Sequence, residues 1–162
     1  MTMTVAYSRE AWGHFLLQAK RHTYASQGDD ATVAPLMPGT KQLEYRDGLF
    51  LYRDVYVGMT YFVGQEIVSY QGHPVWSMSY AGGVLPPVKD RAEVGDIYAF
   101  LRLALRQGTV AQPYRGPAVV RDGPYVYTNQ NHGTLEAFWG YERITDTTQP
   151  VYELHYSGGM LC

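Results

Sequence analysis

The sequence Phe62-Val63-Gly64-Gln65-Glu66 has a similar counterpart 76 positions later, Phe138-Trp139-Gly140-Tyr141-Glu142. Residues 62–85 align with residues 138–161 without a gap, and 9 of the 24 paired positions are identical. Two unrelated stretches of this length would share about one or two identical residues, so the match indicates an internal repeat. The identical positions are Phe62, Gly64, Glu66, Pro74, Val75, Tyr80, Gly82, Gly83 and Leu85, each with its counterpart 76 residues on.

Both copies also show the alternation of apolar and polar residues that is typical of β-strands. Arg46-Asp47-Gly48 and Arg121-Asp122-Gly123 each stand between two such stretches. Asp-Gly favours a hairpin there because glycine readily adopts a positive φ. Each copy is therefore predicted to form a four-stranded antiparallel meander. The predicted strands are 41–46, 49–57, 61–70 and 74–81 in the first copy, and 117–121, 124–130, 134–145 and 150–157 in the second.

A helix is predicted before each meander. Ser8 is a candidate N-cap of the first helix, and Gly108 is a candidate stop for the second. In both segments the apolar residues recur at helical spacing and so share one face. These residues are Trp12, Phe15, Leu16 and Ala19 in the first helix, and Ile97, Phe100, Leu101, Ala104 and Leu105 in the second.

These elements predict an α+β fold, an internally duplicated helix plus antiparallel β-meander, with two pseudo-symmetric halves sharing one core. Residues 1–162 are expected to form a single domain, with repeat one at 1–85 and repeat two at 86–162. The apolar sheet faces would pack against each other or against the helices. Residues 26–39 have no counterpart in the second copy, and their role is left open.

Composition argues against several classes of function. Apolar residues make up 46% of the chain and charged residues 17%, which suits a packed core. The net charge is −2 and there is no basic stripe, so direct binding of nucleic acid is not expected. No signal-peptide core and no apolar stretch of about 20 residues is present, which predicts a cytoplasmic protein without a membrane partner. The single cysteine, Cys162, is interpreted as incidental.

Glu66 and Glu142 are the candidate catalytic residues. Each lies two positions after a glycine in a predicted strand, and glycine lets a ligand or another backbone approach closely. A glutamate among apolar neighbours has a raised pKa and can act as an acid or a base. The alternative is that each carboxylate pairs with a nearby cation such as Arg53 or Arg143, which is the usual state of a buried charge.

The 15 tyrosines predict aromatic walls for a groove between the two copies. Walls of this kind with one or two acids suit a cationic or aromatic small molecule, although cross-strand aromatic pairs also stabilise sheets. Lys20 and Tyr24 end the first helix, where they either contact an anion or, for Lys20, complement the helix dipole. The candidate ligand-binding residues are Lys20, Tyr24, Tyr52, Asp54, Tyr56, Trp76, Tyr80, Trp139, Tyr152 and Tyr156.

The histidines are scattered without the spacing of metal ligands, and no glycine-rich phosphate loop opens a helix. The Gly-Gly pairs at 82–83 and 158–159 are expected to end strands. The sequence therefore predicts no metal site and no cofactor. The five histidines are His14, His22, His73, His132 and His155.

Several motifs resemble those of an uncharacterised bacterial domain family. They lie at residues 15–25, 45–48, 52–56, 64–66, 74–76, 114–117, 121–123 and 152–159. The resemblance covers nearly the whole chain. It implies a bacterial, cytoplasmic protein from a family whose domain occurs alone or C-terminal to helix-turn-helix regulators. By association it also implies effector sensing, but it brings no established activity.

Three hypotheses of function follow. The first is a small-molecule-binding, sensor-type cytoplasmic domain with an aromatic, carboxylate-bearing groove. The second is a small cofactor-independent acid/base enzyme, such as an isomerase, cyclase or hydrolase, which requires a buried carboxylate without a cation partner. The third is a protein-interaction module, with a homodimer as its simplest form. The sequence does not decide whether the protein is an enzyme.

Overall fold

The computed structural model describes residues 8–25, 31–86 and 88–161 of the chain. Cys162 and part of the segment 26–39 lie outside the described residues. The helices are α1 (Arg9–His22) and α2 (Arg91–Arg106). The strands are β1 (Thr32–Val33), β2 (Lys41–Asp47), β3 (Phe50–Gly58), β4 (Tyr61–Tyr70), β5 (His73–Val84), β6 (Val119–Asp122), β7 (Tyr125–Thr134), β8 (Ala137–Thr145) and β9 (Pro150–Met160).

All nine of these strands belong to one antiparallel sheet, in the order β1-β2-β3-β4-β5-β9-β8-β7-β6. β5 and β9 pair with each other, from Trp76 opposite Met160 to Val84 opposite Tyr152. The predicted fold class, an internally duplicated helix plus antiparallel β-meander with two pseudo-symmetric halves, is therefore wrong. A single continuous sheet runs through the described residues, and no two sheets are packed face to face.

Glycines explain why β5 and β9 meet edge to edge. Gly82 and Gly158 lie within these strands and do not end them, contrary to the prediction. A Cβ on Gly82 would lie 2.2 Å from the backbone oxygen of Glu153, and a Cβ on Gly158 would lie 2.2 Å from that of Ser77. Because neither residue has a side chain, the two strands approach closely enough to pair.

The two predicted helices are confirmed. Ser8 caps α1, since its side-chain oxygen accepts a hydrogen bond from the backbone N–H of Ala11. Asp90 caps α2 in the same way through the backbone N–H of Ala92. α2 ends at Arg106, two residues before the predicted stop at Gly108.

Both helices cover the same face of the sheet, which we call the inner face. On α1, Phe15 packs against Phe50 with ring centroids 5.0 Å apart, and on α2, Phe100 stacks on Tyr125 at 5.5 Å. Burial alternates along the strands, as expected for a sheet with one covered face. The other side, the outer face, exposes apolar side chains, among them Val57, Val63 and Trp139.

Candidate functional site

A groove of about 1390 Å³ lies between the inner face and α2. The sheet supplies its base, α2 supplies one wall, and residues that follow each helix also line it. The side chains that matter below are Tyr24, Asp54, Tyr56, Phe62, Tyr80, Tyr98, Arg102 and Arg115.

Asp54 and Tyr80 form the polar contact at the base of the groove. The Tyr80 hydroxyl donates to Asp54 Oδ1 across 2.6 Å, although the two residues lie on β3 and β5 with β4 between them. Gly64 on β4 makes this reach possible, because it stands opposite both Tyr56 and Tyr80. A Cβ on Gly64 would lie 2.3 Å from the Tyr80 hydroxyl oxygen. The glycine thus provides the space in which the Tyr80 ring crosses β4.

Asp54 is 2% exposed, and no ion pair to it occurs within the described residues. Burial, and then the charge of Glu66 directly opposite on β4, raise the pKa of Asp54 to about 7. The hydrogen bond from Tyr80 acts in the other direction. Asp54 therefore changes its protonation state near neutral pH, which ordinary aspartates do not.

Glu66 lies beside Asp54 and is fully buried. Its partner is Lys20 on α1, whose Nζ lies 2.8 Å from Glu66 Oε2. This contact is a buried ion pair at hydrogen-bonding distance, and it raises the pKa of Lys20 against the effect of burial. Lys20 Nζ also donates to the backbone oxygen of Tyr114. Burial lowers the pKa of Lys20, and Glu66 counteracts part of that shift.

Glu142 has a more complete set of partners. Arg115 contacts both its oxygens, with Nη2 at 2.5 Å from Oε1 and Nε at 3.2 Å from Oε2. The hydroxyls of Tyr127 and Tyr152 donate to it at 2.6 Å and 2.8 Å. Burial, and then Glu142 itself, raise the pKa of both tyrosines well above the usual value, so they remain hydrogen-bond donors. This arrangement satisfies a buried charge and suits a structural role.

The residues around Glu66 form a first cluster, which includes Asp54 and Tyr80, and the residues around Glu142 form a second cluster, which includes Asn129 and Tyr156. The two clusters have matching contacts but different chemistry. Tyr156 donates to Asn129 Oδ1 across 2.8 Å, as Tyr80 does to Asp54. Gly140 provides room for the Tyr156 ring as Gly64 does for Tyr80. Asn129 cannot ionise, and it does not line the groove. The groove is therefore lined by the cluster in which the tyrosine donates to an acid, Asp54.

Several buried polar atoms near Glu66 lack a hydrogen-bond partner among the described residues. They include the hydroxyl oxygens of Tyr24 and Tyr52 and the Nε1 of Trp76. Leaving such an atom unpaired costs about 1–3 kcal/mol, so these groups need an explanation. Tyr24 lines the groove, and the Arg115 guanidinium carbon lies 5.2 Å from its ring centre. The residue therefore borders the groove, but its hydroxyl oxygen is buried and has no partner among the described residues.

All the predicted site residues except Trp139 divide into three groups. Tyr24, Asp54, Tyr56 and Tyr80 line the groove. Lys20, Tyr52, Glu66 and Trp76 are buried in the core next to it, whereas Glu142, Tyr152 and Tyr156 belong to the second cluster.

Trp139 lies on the outer face, 58% exposed and stacked on His132, apart from the groove. The alternative that each glutamate pairs with a cation is confirmed, since Glu66 pairs with Lys20 and Glu142 with Arg115. The suggested partners Arg53 and Arg143 are wrong, because they pair with Glu44 and Glu153.

Sequence reasoning missed the cations around the groove. Arg115 was noted only within a motif, and Arg102 was not singled out. Arg102 stands between two leucines on α2, a pattern that is typical of a solvent-facing position in an amphipathic helix. The position of Asp54 relative to Glu66 was predictable, since both follow the alternation of their strands.

Within residues 8–25, 31–86 and 88–161, no group of three or more His, Cys, Asp or Glu side chains could hold a metal ion. Among the same residues, neither helix has the length and apolar character that a membrane crossing requires.

The fold and the groove define a small β-sheet domain with an acid–tyrosine pair at the base of a ligand-sized space. The chain belongs to the family described as Domain of unknown function (DUF5680), which matches residues 54–161. The match includes Asp54, Glu66 and Tyr80 but begins after Lys20 and Tyr24. No curated protein and no solved structure matches the chain.

Proposed function

We propose that this chain is a small-molecule-binding domain whose ligand lies in the groove between the inner face and α2. The main support is the Asp54–Tyr80 pair at the base of a space of about 1390 Å³. Ligand sites typically combine apolar and aromatic walls with a few convergent polar groups. The groove has that composition, with Phe62, Tyr98 and Leu101 beside the polar pair.

The polar groups of the groove would orient the ligand. Tyr80 uses its proton on Asp54 Oδ1, and no described residue donates to Asp54 Oδ2. Asp54 Oδ2 is thus an acceptor for a ligand N–H or O–H. Arg102 offers the complementary group, a half-buried guanidinium donor that lines the groove. A ligand with a donor at one end and an acceptor near the other would satisfy both.

We place this function in the cytoplasm of a bacterium, as the sensor-type part of a regulatory system. The support is that the motifs of this chain resemble those of domains that occur C-terminal to helix-turn-helix regulators. This is an argument by association, which is independent of the contacts in the groove. Ligand binding would then be read out by a partner that carries the DNA-binding module.

A thermal-shift screen of metabolites tests the proposal with two matched variants. Ala99 and Ala92 are both exposed on α2, but only Ala99 lines the groove. A ligand at saturating concentration should raise the Tm of wild type and of Ala92→Trp by a few degrees, and Ala99→Trp should lose this shift because the indole fills the groove. Equal shifts in both variants would place the ligand elsewhere, and no shift with any metabolite would contradict a ligand-binding role.

A second candidate function is acid/base catalysis, and Asp54 is a better candidate for the catalytic group than either glutamate. Glu66 and Glu142 each have a cation partner, whereas Asp54 has none among the described residues and its burial raises its pKa to about 7. A general acid or base works best with a pKa near the operating pH. If ligands from the screen are converted by wild type and only bound by Asp54→Asn, the domain is an enzyme. Bound ligands that NMR shows unchanged after a day would contradict this candidate.

The protein-interaction hypothesis, including a homodimer, remains a prediction. The observation that favours it is the outer face, where Val57, Val63 and Trp139 are 53%, 47% and 58% exposed. Light scattering measures the mass in solution, and a monomer at all concentrations would contradict the homodimer.

A further inference from the structure

We infer that the ligand of the groove is an organic anion with an aromatic or similarly flat apolar body. This inference rests on the proposed function and names the ligand class of the same site.

The charge of the groove has the opposite sign to that of the chain. The whole sequence has 13 Lys and Arg against 15 Asp and Glu. Among the described residues, the groove lining contains one acid, Asp54, and five cations. Such a concentration of one sign in a concave site attracts a ligand of the opposite sign. The five cations are Lys41, Lys89, Arg91, Arg102 and Arg115.

Most of this positive charge is available to a ligand. Arg115 is neutralised by Glu142, but none of the other four cations forms an ion pair with a described residue. Arg102 is half-buried beside Leu101 and Leu105, which also line the groove. A partly desolvated guanidinium without a carboxylate partner binds an anion more strongly than an exposed lysine does.

The other polar groups of the groove are compatible with an anion. Burial raises the pKa of Tyr24 well above its usual value, so its hydroxyl stays protonated and adds no negative charge beside the groove. Asp54 has a pKa of about 7, so a large fraction of it is neutral near pH 7 and repels an anion less than an ordinary aspartate would.

The apolar body of the ligand is indicated by an aromatic wall centred on Phe62. Its ring centroid lies 5.9 Å from that of Tyr80, 6.1 Å from that of Tyr98 and 6.5 Å from that of Tyr56. These rings come from β3, β4, β5 and α2, so they surround the groove from both sides. Flat apolar ligands stack favourably on such surfaces.

Two fluorescent dyes with the same ring system test the inference. 8-Anilinonaphthalene-1-sulfonate carries a sulfonate, and N-phenyl-1-naphthylamine does not. We expect the sulfonate to bind at least about fivefold more tightly at low salt, the equivalent of one partly buried ion pair. Raising NaCl from about 20 to about 300 mM should remove most of that preference, because salt screens charge pairs.

The variants Arg102→Gln and Lys41→Gln should reduce sulfonate binding and leave the neutral dye unchanged. The matched control is Arg121→Gln, an exposed cation on β6 that does not line the groove, and it should bind both dyes as wild type does. Near-UV circular dichroism verifies that each variant is folded.

The outcomes separate the ligand class from the proposed function. If the neutral dye binds as tightly as the sulfonate, or if Arg102→Gln and Lys41→Gln leave the preference intact, the groove binds small molecules but the anionic class is wrong. If neither dye binds the folded protein, the groove itself is contradicted as a ligand site.

Discussion

The Tyr80 hydroxyl donates to Asp54 across 2.6 Å, and the Tyr156 hydroxyl donates in the same way to Asn129 across 2.8 Å. One chain thus contains the same contact twice, once with an ionisable acceptor and once with a neutral amide. The neutral version shows that this geometry accommodates asparagine. The ionisable version lies at the base of the groove, where its charge can respond to pH and to a ligand.

Replacing Asp54 with Asn should therefore stabilise the protein at alkaline pH. Burial and Glu66 raise the folded-state pKa of Asp54 to about 7, whereas the unfolded value is about 3.9. The folded chain holds this proton more tightly, so the stability contribution is fully present below pH 4 and is lost as pH rises through 7. The variant should gain up to about 4 kcal/mol over wild type between pH 4 and pH 8.

Urea unfolding at several pH values measures this difference. The reverse variant, Asn129→Asp, should show a smaller loss of stability with rising pH, because position 129 is only partly buried and the carboxylate would lose the hydrogen bond that the amide donates to the backbone oxygen of Gly116. Parallel pH profiles for wild type and Asp54→Asn would mean that Asp54 is not a perturbed acid.

The substitution Glu142→Gln should destabilise the fold by about 3–5 kcal/mol. It leaves the guanidinium of Arg115 buried without its countercharge, and only 4% of that side chain is exposed. Glu153→Gln is the control, since its pair with Arg143 is partly solvated and should contribute under about 1 kcal/mol. Similar losses of Tm in the two variants would contradict the structural role assigned to the Arg115–Glu142 pair.

Glu66→Gln should produce a loss of stability that depends on pH. Burial already lowers the pKa of Lys20, and the glutamine removes the charge that opposes this shift. A base with a lowered folded-state pKa is destabilising while the unfolded chain is protonated, so the variant should recover stability relative to wild type as pH rises from 7 to 10. Chemical denaturation at these pH values provides the measurement. A constant deficit across the range would show that Lys20 is not held as a buried cation.

The variants Gly64→Ala and Gly140→Ala should disrupt the Tyr80–Asp54 and Tyr156–Asn129 hydrogen bonds, respectively. Only the first change should affect the pKa of an acid. The new methyl group would lie 2.3 Å from the Tyr80 hydroxyl oxygen in the first and 2.2 Å from that of Tyr156 in the second. Both should cost about 1–3 kcal/mol through overpacking. Gly64→Ala alone should raise the pKa of Asp54 further, because it removes the hydrogen bond that lowers it.

NMR titration of carboxyl-labelled aspartate distinguishes the two variants. An unchanged Asp54 titration in Gly64→Ala would mean that the contact with Tyr80 survives the substitution, contrary to the steric argument.

The strands and helices were largely predictable from the sequence, but their assembly was not. Asp47-Gly48 and Asp122-Gly123 mark hairpins, and both glycines have positive φ values of 56° and 52°. Alternation predicts which face of a strand is buried, but it carries no information about which strand lies at each edge. The pairing of β5 with β9 depends on the absence of side chains at Gly82 and Gly158, where the sequence indicated strand ends.

The candidate site was predictable in its sheet residues and in Lys20, but not in Arg115 or in which cation pairs with which glutamate. Asp54, Glu66 and Tyr80 follow strand alternation, so their common face could be predicted. Lys20 and Arg115 come from a helix and a connecting segment far away in sequence, and only the folded chain brings them to the glutamates. Trp139 was misplaced although alternation was sufficient, since it alternates with Phe138 and Gly140 and therefore lies on the opposite face.

The most direct test of the ligand site is an NMR measurement of intermolecular nuclear Overhauser effects in the complex with 8-anilinonaphthalene-1-sulfonate. The account predicts contacts from the naphthalene protons to the rings of Phe62 and Tyr98, and their loss in Ala99→Trp. Contacts to Trp139 and His132 on the outer face, with none to Phe62 or Tyr98, would contradict it.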